Sequence, residues 1–539
     1  MGETIFIKVE AINIYNHVFD TNQLSIIRGG SLLLKAAIDD IAREEEISLK
    51  LEPISTGASV GIFRLKNANI NKDEATKKIT DYLNNHPDYK NFTFVVSATD
   101  TEDYLTAKEE LIALGRLQQM WQISSSTDKH EYSSNNSQYS TFSGSRLCHK
   151  SQKIADTEQL FSALDWLRHE QGRTLRSELY QQELAALNKE QPEQENIEEI
   201  SKLNFTQDLQ SLAASHRYRN LNDKIAVIYL DGNSFSKKQN HFIRSRMQEG
   251  TPEQTKDKSE QEKDKSEQAI DAQKEFDTAI KTYRQSFLYE LLSIYQKESG
   301  TEQEIDYFYI RDNSKYARLE ILLWGGDEII LVVPAWLGTK VLGLFYECSQ
   351  EWKLPGSDKN DKDNLLTHAG GIVFTQAKTP IAKIRKLAMD LADAIKESGP
   401  EGRTDNYFDY LTLESVDYPT ESLKNYFRHT YGPELAEQRG YLAASQLSNL
   451  QGYQPLLAEL PRSQVYRHVQ CLLQEPNNLK LHQDSQQRLE ANLTEASKAA
   501  LQNLFKLEQG APWTYIHLIE LWDYLYPVAV ETNTQGATA

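Results

Sequence analysis

ARLEILLWGGDEIILVVP, residues 317–334, is the stretch that decides the fold. Two apolar runs of strand length flank Gly325 and Gly326, and an acid pair, Asp327 and Glu328, follows directly. Short apolar runs rich in β-branched residues read as buried strands, and glycines between them read as a hairpin turn. Glycine allows a tight turn with positive φ and lets a ligand approach backbone that a side chain would obstruct. Well upstream, DKIAVIYLDGNSF (223–235) is a second strand-length apolar run, and it too ends at an acid and a glycine, Asp231 and Gly232.

Working outward, FDTAIKTYRQSFLYELLSIYQ (276–296) is helical and joins the two strand regions. After the hairpin come a helix over LGTKVLGLFYECSQEW, a strand HAGGIVFTQ, a helix TPIAKIRKLAMDLADAIKE with Pro380 near its first turn, and a strand NYFDYLTLES. The first 125 residues repeat this order: TIFIKVEAI, GGSLLLKAAIDDIAREEE, KLEPIS, SVGIFRL, DEATKKITDYLNNH, FTFVVSA, then the helix EDYLTAKEELIALGRLQQMW. A βαββαβ order met twice predicts an α+β fold made of two duplicated ferredoxin-like units. The expected division is a first unit over 1–125 and a linker and helical segment over 126–220. A second unit follows over 221–418, then a helical C-terminal region over 419–530 and a disordered tail over 531–539. Ser124 to Tyr139 reads as a serine-rich loop. Inside the second unit, 237–273 reads as a charged insertion; KDKSEQ recurs at 256 and 263, which predicts a solvated helix.

With 539 residues the chain has room for three to four packed units. It carries no apolar run near the ~18 residues of a membrane span. The amino terminus lacks the features of a secretory signal, and Phe6 stands where a myristoylation signal wants Ser or Thr, so a cytoplasmic protein without membrane contact is expected. Cys148, Cys348 and Cys471 are too scattered for a disulfide framework or zinc ribbon and read as small buried hydrophobes. A formal charge of −19 argues against the whole surface gripping nucleic acid.

In a ferredoxin-like sheet the first strand and the hairpin are central neighbours, so Asp231, Asp327 and Glu328 are expected to converge at one edge. Hard carboxylate oxygens there suit Mg²⁺ or Mn²⁺, with the Gly232 carbonyl as a further ligand and substrate phosphates completing the shell. The amides of Asn233, Ser234 and Phe235 are expected to face phosphate oxygens. Either piece alone reads as a solvent-facing turn or a strand-ending acid; together, inside the complete βαββαβ order, they favour a site. Trp324 and Phe235 flank it, as base-stacking or as core residues.

LDGNSFS, LLWGGDEIILVVP and HAGGIVFTQAKTPIAKIRKLAMDLADAIK together resemble the catalytic palm of the CRISPR type III effector large subunit, a family that shares its fold with class III nucleotide cyclases and G-G-D-E-F diguanylate cyclases. The likeness covers 220–415 well and the first 125 residues more loosely, where IRGGSLLLKAAI looks like the opening helix of the first palm. It implies two facing palms, the second making cyclic oligoadenylates from ATP or another nucleoside triphosphate in antiviral defence, with guide or target RNA and other effector subunits as partners. It points to Lys396 as the triphosphate lysine, with Arg403 assisting. The family's usual G-G-D-D is Gly325, Gly326, Asp327 and Glu328 here, which puts the last position in question. No His-Asp pair and no zinc-binding cysteines occur, which points to a reduced or stand-alone relative without the nuclease domain. In the first palm, Glu10 lies on the opening strand but Gly57, Ala58 and Ser59 replace the acidic turn, so this half is expected to supply the opposite wall of the pocket. Arg28, Gly29, Gly30 and Ser31 read either as part of that wall or as packing. Lys383, Arg385 and Lys386 read as a solvated face. The expected reaction is attack of a ribose hydroxyl on an α-phosphate with loss of pyrophosphate. The competing readings are a non-catalytic palm-fold scaffold in an RNA-guided complex and a cyclic-dinucleotide synthase.

Overall fold

The computed structural model describes residues 4–43, 47, 49–66, 70–121, 138–154, 157–249, 258–357, 364–398, 404–447, 456–475, 478–491, 493–503 and 512–527. The tail at 531–539 and most of the serine-rich loop lie outside the described residues. The chain is a mixed α+β protein with several sheets. Among the described residues no helix is long and apolar enough to cross a membrane.

The first sheet is formed by β1 (Ile5–Ile12), β2 (Leu51–Thr56), β3 (Val60–Leu65) and β4 (Thr93–Asp100), in the spatial order β2-β3-β1-β4. Helices α1 (Leu24–Arg43) and α2 (Lys72–Asn85) connect them, and α3 (Tyr104–Gln119) follows. Side-chain caps fix the helix starts: Asn71 accepts from the Glu74 amide at 2.9 Å, and Asp103 from the Thr106 amide at 2.8 Å. Alternation along β1 sends Ile7, Val9 and Ala11 to one core and Phe6 to another.

The second sheet repeats the scheme with β5 (Lys224–Gly232), β6 (Glu320–Gly325), β7 (Glu328–Pro334) and β8 (His368–Gln376), in the order β6-β7-β5-β8. It then adds β9 (Tyr407–Thr412), parallel to β8, and a two-residue strand at Leu442–Ala443. Central β5 is buried along almost its whole length, which is why its sequence is a continuous apolar run rather than an alternating one. Before the sheet runs α4 (Ala163–Glu190). Then α5 (Phe235–Glu249) and α6 (Lys258–Glu298) follow β5, α7 (Gly338–Ser349) follows β7, and α8 (Ile381–Glu397) follows β8. On α8, Ile381, Ile384, Leu387, Ala388, Leu391, Ala392 and Ile395 make one apolar stripe against the sheet.

Several expectations are corrected. The segment over 126–220, read as a helical linker, contains a hairpin (Lys150–Ile154 with Thr157–Phe161) and the 28-residue α4, a packed strut that buries Asp165, Arg168, Arg176 and Glu183. It crosses α1 where Gly29 and Gly172 meet: a methyl on Gly29 would fall on the Arg168 carbonyl, and one on Gly172 on the Ser25 carbonyl. Arg28 and Gly29 therefore serve packing. Arg28 is 2% exposed and donates to Glu320 and to the Gly172 carbonyl, each at 2.6 Å, tying α1 to the start of β6. Nor is the insertion over 237–273 solvated throughout. Its first part is α5, and its end is continuous with the core helix as the 41-residue α6, where Ala269, Ile270 and Ala272 are buried and Arg64 of β3 pairs with Glu267. Finally, the cores are shared rather than separate: each large apolar cluster combines residues of the first sheet with residues of the second.

Candidate functional site

Asp231 stands opposite Glu328 in the β5–β7 ladder, and Gly325 opposite Glu328 in the hairpin, leaving Gly326 and Asp327 as a two-residue turn. Gly326 takes φ +54°, the left-handed region that a side chain disfavours. Gly325 has a different role, since a methyl there would press on the Ala58 methyl in the first sheet's β2–β3 turn. The two hairpins thus meet at this glycine. The Asp327 carbonyl accepts from the Gly232 amide at 3.2 Å, pinning the turn to the end of β5.

Cross-strand partners share a face, so the Asp231 and Glu328 side chains lie together on the face that α8 covers. The Tyr229 hydroxyl, two residues back on that face, donates to Glu328 Oε1 at 3.1 Å. Lys396, in the last turn of α8, places Nζ 2.5 Å from Asp231 Oδ2 and donates to the Gly232 carbonyl at 2.9 Å. Burial and then the Asp231 charge push the carboxyls of Asp327, Glu328 and Asp393 above their ordinary range; Lys396 works in the opposite direction on all three. Four acids thus share one nearby lysine.

The structure brings Asp231, Glu328 and Lys396 together on one face at the end of β5, with Asp327 in the turn beside them. Arg403 lies outside the described residues. The expectation for the amides is corrected at Asn233: its N–H donates to the Thr367 carbonyl at 2.8 Å, and its buried side chain bonds Thr367 Oγ1 at 3.0 Å, so it anchors the loop instead of facing a ligand. Ser234 adopts φ +57° and its carbonyl accepts from the Lys237 and Lys238 amides, opening α5. Phe235 is buried edge-on against Phe276 and His368. Of the basic trio on α8, Lys383 and Lys386 are exposed, whereas Arg385 sits 3.7 Å over the Phe19 ring and burial lowers its pKa.

Whether this set suits Mg²⁺ or Mn²⁺ turns on its donors. Carboxylates and the Gly232 carbonyl are hard oxygens of the kind these ions take. Yet among the described residues no three His, Cys, Asp or Glu form a ready cluster for a metal, and the Lys396 ammonium already engages Asp231 and Gly232. The residues therefore fit an ion that takes one or two carboxylates and draws its remaining ligands from phosphate and water, not a closed protein cage.

On the opposite face of the hairpin lies a cavity of about 380 Å³, walled by Phe235, Trp324, Gly325, Gly326 and Asp327 on one side and by the Ser55–Ala58 turn of the first sheet on the other. Asp327 is the only one of the three predicted acids that lines it. Helix α6 closes the cavity with Asp277, Lys281 and Arg284, residues the sequence reading passed over. Their spacing of four and then three positions puts them on one helical face, and that periodicity was the available signal.

The first sheet carries the same register without the chemistry. Glu10 pairs with Val60 as Asp231 pairs with Glu328, and the Ala11 amide bonds the Ser59 carbonyl at 2.8 Å as Gly232 bonds Asp327. Ser59 thus holds the place of Asp327, and Glu10 is paired with Lys8 at 2.6 Å.

No protein-family model matches this chain, and no curated protein matches it. Among solved structures it is similar to Csm1-Csm4 cassettes. One in complex with cA4 aligns over 96% of this chain and 69% of that chain, at 12% identity and a TM-score of 0.47. One in complex with cA3 gives the same coverage and identity with a TM-score of 0.48. One in complex with one ATP covers 97% of this chain and 70% of that chain, again at 12% identity, with a TM-score of 0.47.

Proposed function

We propose that this chain is a metal-dependent nucleotidyltransferase that joins nucleoside triphosphates, ATP foremost, into cyclic oligonucleotides. In this reading the second sheet is a catalytic palm and the first a degenerate one. The observation that carries it is the cross-strand pairing of Asp231 with Glu328, beside Asp327, with Lys396 between Asp231 and the Gly232 carbonyl. A ribose 2′ or 3′ hydroxyl gives up its proton to solvent as its oxygen attacks the α-phosphorus, the bond from that phosphorus to the oxygen bridging to the β-phosphate breaks, and pyrophosphate leaves. Asp231, Asp327, Glu328 and the Gly232 carbonyl are the groups that would hold Mg²⁺ or Mn²⁺, which supplies neutralisation of the leaving group. Lys396 balances the Asp231 charge in the free protein and offers a mobile point charge to a phosphate when substrate arrives. Gly325 and Gly326 keep the turn free of side chains, and positioning with fixed electrostatics does the remaining work. By the motif resemblance, the product is an antiviral signal made in the cytoplasm, and effector subunits with guide or target RNA are the partners.

A second reading, a non-catalytic scaffold, is favoured by one observation: the lysine already closes on Asp231 where an ion would bind. The experiment is incubation of the purified chain with each nucleoside triphosphate and Mg²⁺ or Mn²⁺, with and without RNA, resolving products by mass spectrometry. Metal-dependent cyclic oligonucleotides that vanish in both Asp231→Asn and Asp327→Asn support the transferase. A product no larger than a cyclic dinucleotide reassigns it to dinucleotide synthesis. No product and no triphosphate binding moves the assignment to the scaffold.

A further inference from the structure

Glu328 reaches the site on a longer stem than the aspartates beside it. It has one more methylene and one more bond to rotate, so fixing its carboxylate costs more conformational freedom. Among the described residues its side chain has one hydrogen-bond partner, the Tyr229 hydroxyl, which donates to Oε1 at 3.1 Å. Oε2 carries no hydrogen bond among the described residues. Asp231, opposite Glu328 in the ladder, is held differently, by the Lys396 ammonium 2.5 Å away.

Tyr229 is well placed to hold a carboxylate still. It is 2% exposed on central β5, where Ile330 of β7 and Gly371 of β8 flank it. Gly371 lets α8 settle on the sheet at this point, since a methyl there would fall 1.9 Å from the Ala388 carbonyl oxygen and 3.0 Å from the Leu391 Cβ. Cross-strand partners share a face, so the Tyr229 ring is packed on the face that α8 covers, where it has little room to turn. Tyr229 also stands two residues before Asp231 and therefore on the same face. One strand thus supplies an acid of the site and the group that steadies the acid across from it.

We propose that Tyr229 is a positioning residue, whose O–H holds Oε1 of Glu328 and so leaves Oε2 as the oxygen that this side chain offers to the metal ion. The claim rests on the transferase reading above, and it adds to it the residue that makes a glutamate serviceable at this position. A carboxylate that binds a metal is oriented by the hydrogen bond behind it, and removing such a partner costs roughly 10–100-fold in metal affinity. A hydroxyl present only to satisfy a buried phenol would have no such effect.

The test is Mn²⁺ binding to the full chain, read from the electron paramagnetic resonance signal of the free ion, with the α,β-methylene analogue of ATP present so that no chemistry occurs. Tyr229→Phe removes the hydroxyl and keeps the ring, so the variant fills the same space and its fold is checked by thermal melting. It is expected to bind Mn²⁺ roughly 10–100-fold more weakly than the parent, and the Mn²⁺ concentration giving half-maximal product from ATP should rise by a similar factor. Glu328→Asp draws the carboxylate back from the hydroxyl; in that background Tyr229→Phe is expected to change Mn²⁺ affinity by no more than about twofold, because the two residues act as one unit. Parent-like Mn²⁺ affinity in Tyr229→Phe, or an equal loss with and without Glu328→Asp, overturns the proposal. If the parent meanwhile binds Mn²⁺ and makes product, the transferase reading stands without it. A parent that binds no Mn²⁺ and makes no product removes both.

Discussion

Gly325→Ala tests whether the two hairpins really meet at the site. The added methyl would lie under 3.0 Å from the Ala58 methyl and 3.4 Å from the Ala58 Cα and N. Carbon atoms prefer roughly 3.5–4.0 Å, so the hairpins must part by about 1 Å or more or the turn must distort. Overpacking of this kind costs about 1–3 kcal/mol. Ala58→Gly removes the colliding methyl and by itself costs about 0.4–1 kcal/mol through the greater freedom of the unfolded chain. If the apposition is real, the double variant recovers most of the loss, giving a coupling of about 1–2 kcal/mol. Independent sites would add within about 0.3–0.5 kcal/mol. The assay is equilibrium urea unfolding of the parent, both single variants and the double. A double variant no more stable than the sum of the singles refutes the contact and, with it, the cavity wall formed by Ser55 to Ala58.

Three further outcomes are expected. Gly232→Ala would set a methyl 2.7 Å from Asp327 Cβ and against the Phe235 ring, so it should destabilise the chain by about 1–3 kcal/mol and abolish product formation in the nucleotide assay; wild-type activity refutes the tight packing at the strand end. Glu328→Gln removes an acid whose pKa burial and the Asp231 charge raise above the usual 4.5. A carboxyl with a raised folded pKa contributes stability that is present below its unfolded value and lost as pH rises through the folded one. The variant should therefore melt with the parent below about pH 4.5 and above the parent at neutral pH, and thermal melts across that range decide it. Arg439→Met strands Asp409, whose two oxygens it contacts at 2.5 and 2.6 Å with both side chains buried, and should cost about 3–5 kcal/mol in urea unfolding; a loss below 1 kcal/mol refutes the buried pair.

The strands, the βαββαβ order and the acids were legible because local patterning encodes them. An apolar run ending in Asp231-Gly232 and a hairpin carrying Asp327 and Glu328 identify their own secondary structure, and the topology of such a sheet makes them neighbours before any coordinate is known. Lys396 was reachable from motif resemblance. The spacing of Asp277, Lys281 and Arg284 puts them on one helical face, but spacing alone does not tell whether that face meets water or a cavity. Arg28 illustrates a different case: beside two glycines it read equally as a pocket wall or as packing, and its burial against Glu320, a partner far away in the chain, decides for packing.

What the sequence determined by itself was therefore the local conformation, set by apolar periodicity and glycine positions, together with the acids those strands bring to one edge. Only the tertiary structure decided which charges are buried, which helix closes the cavity, and that Gly325 touches Ala58 across the molecule. Those outcomes depend on packing between segments far apart in the chain, and the preference of a short segment for helix or strand carries no information about the partner it will meet.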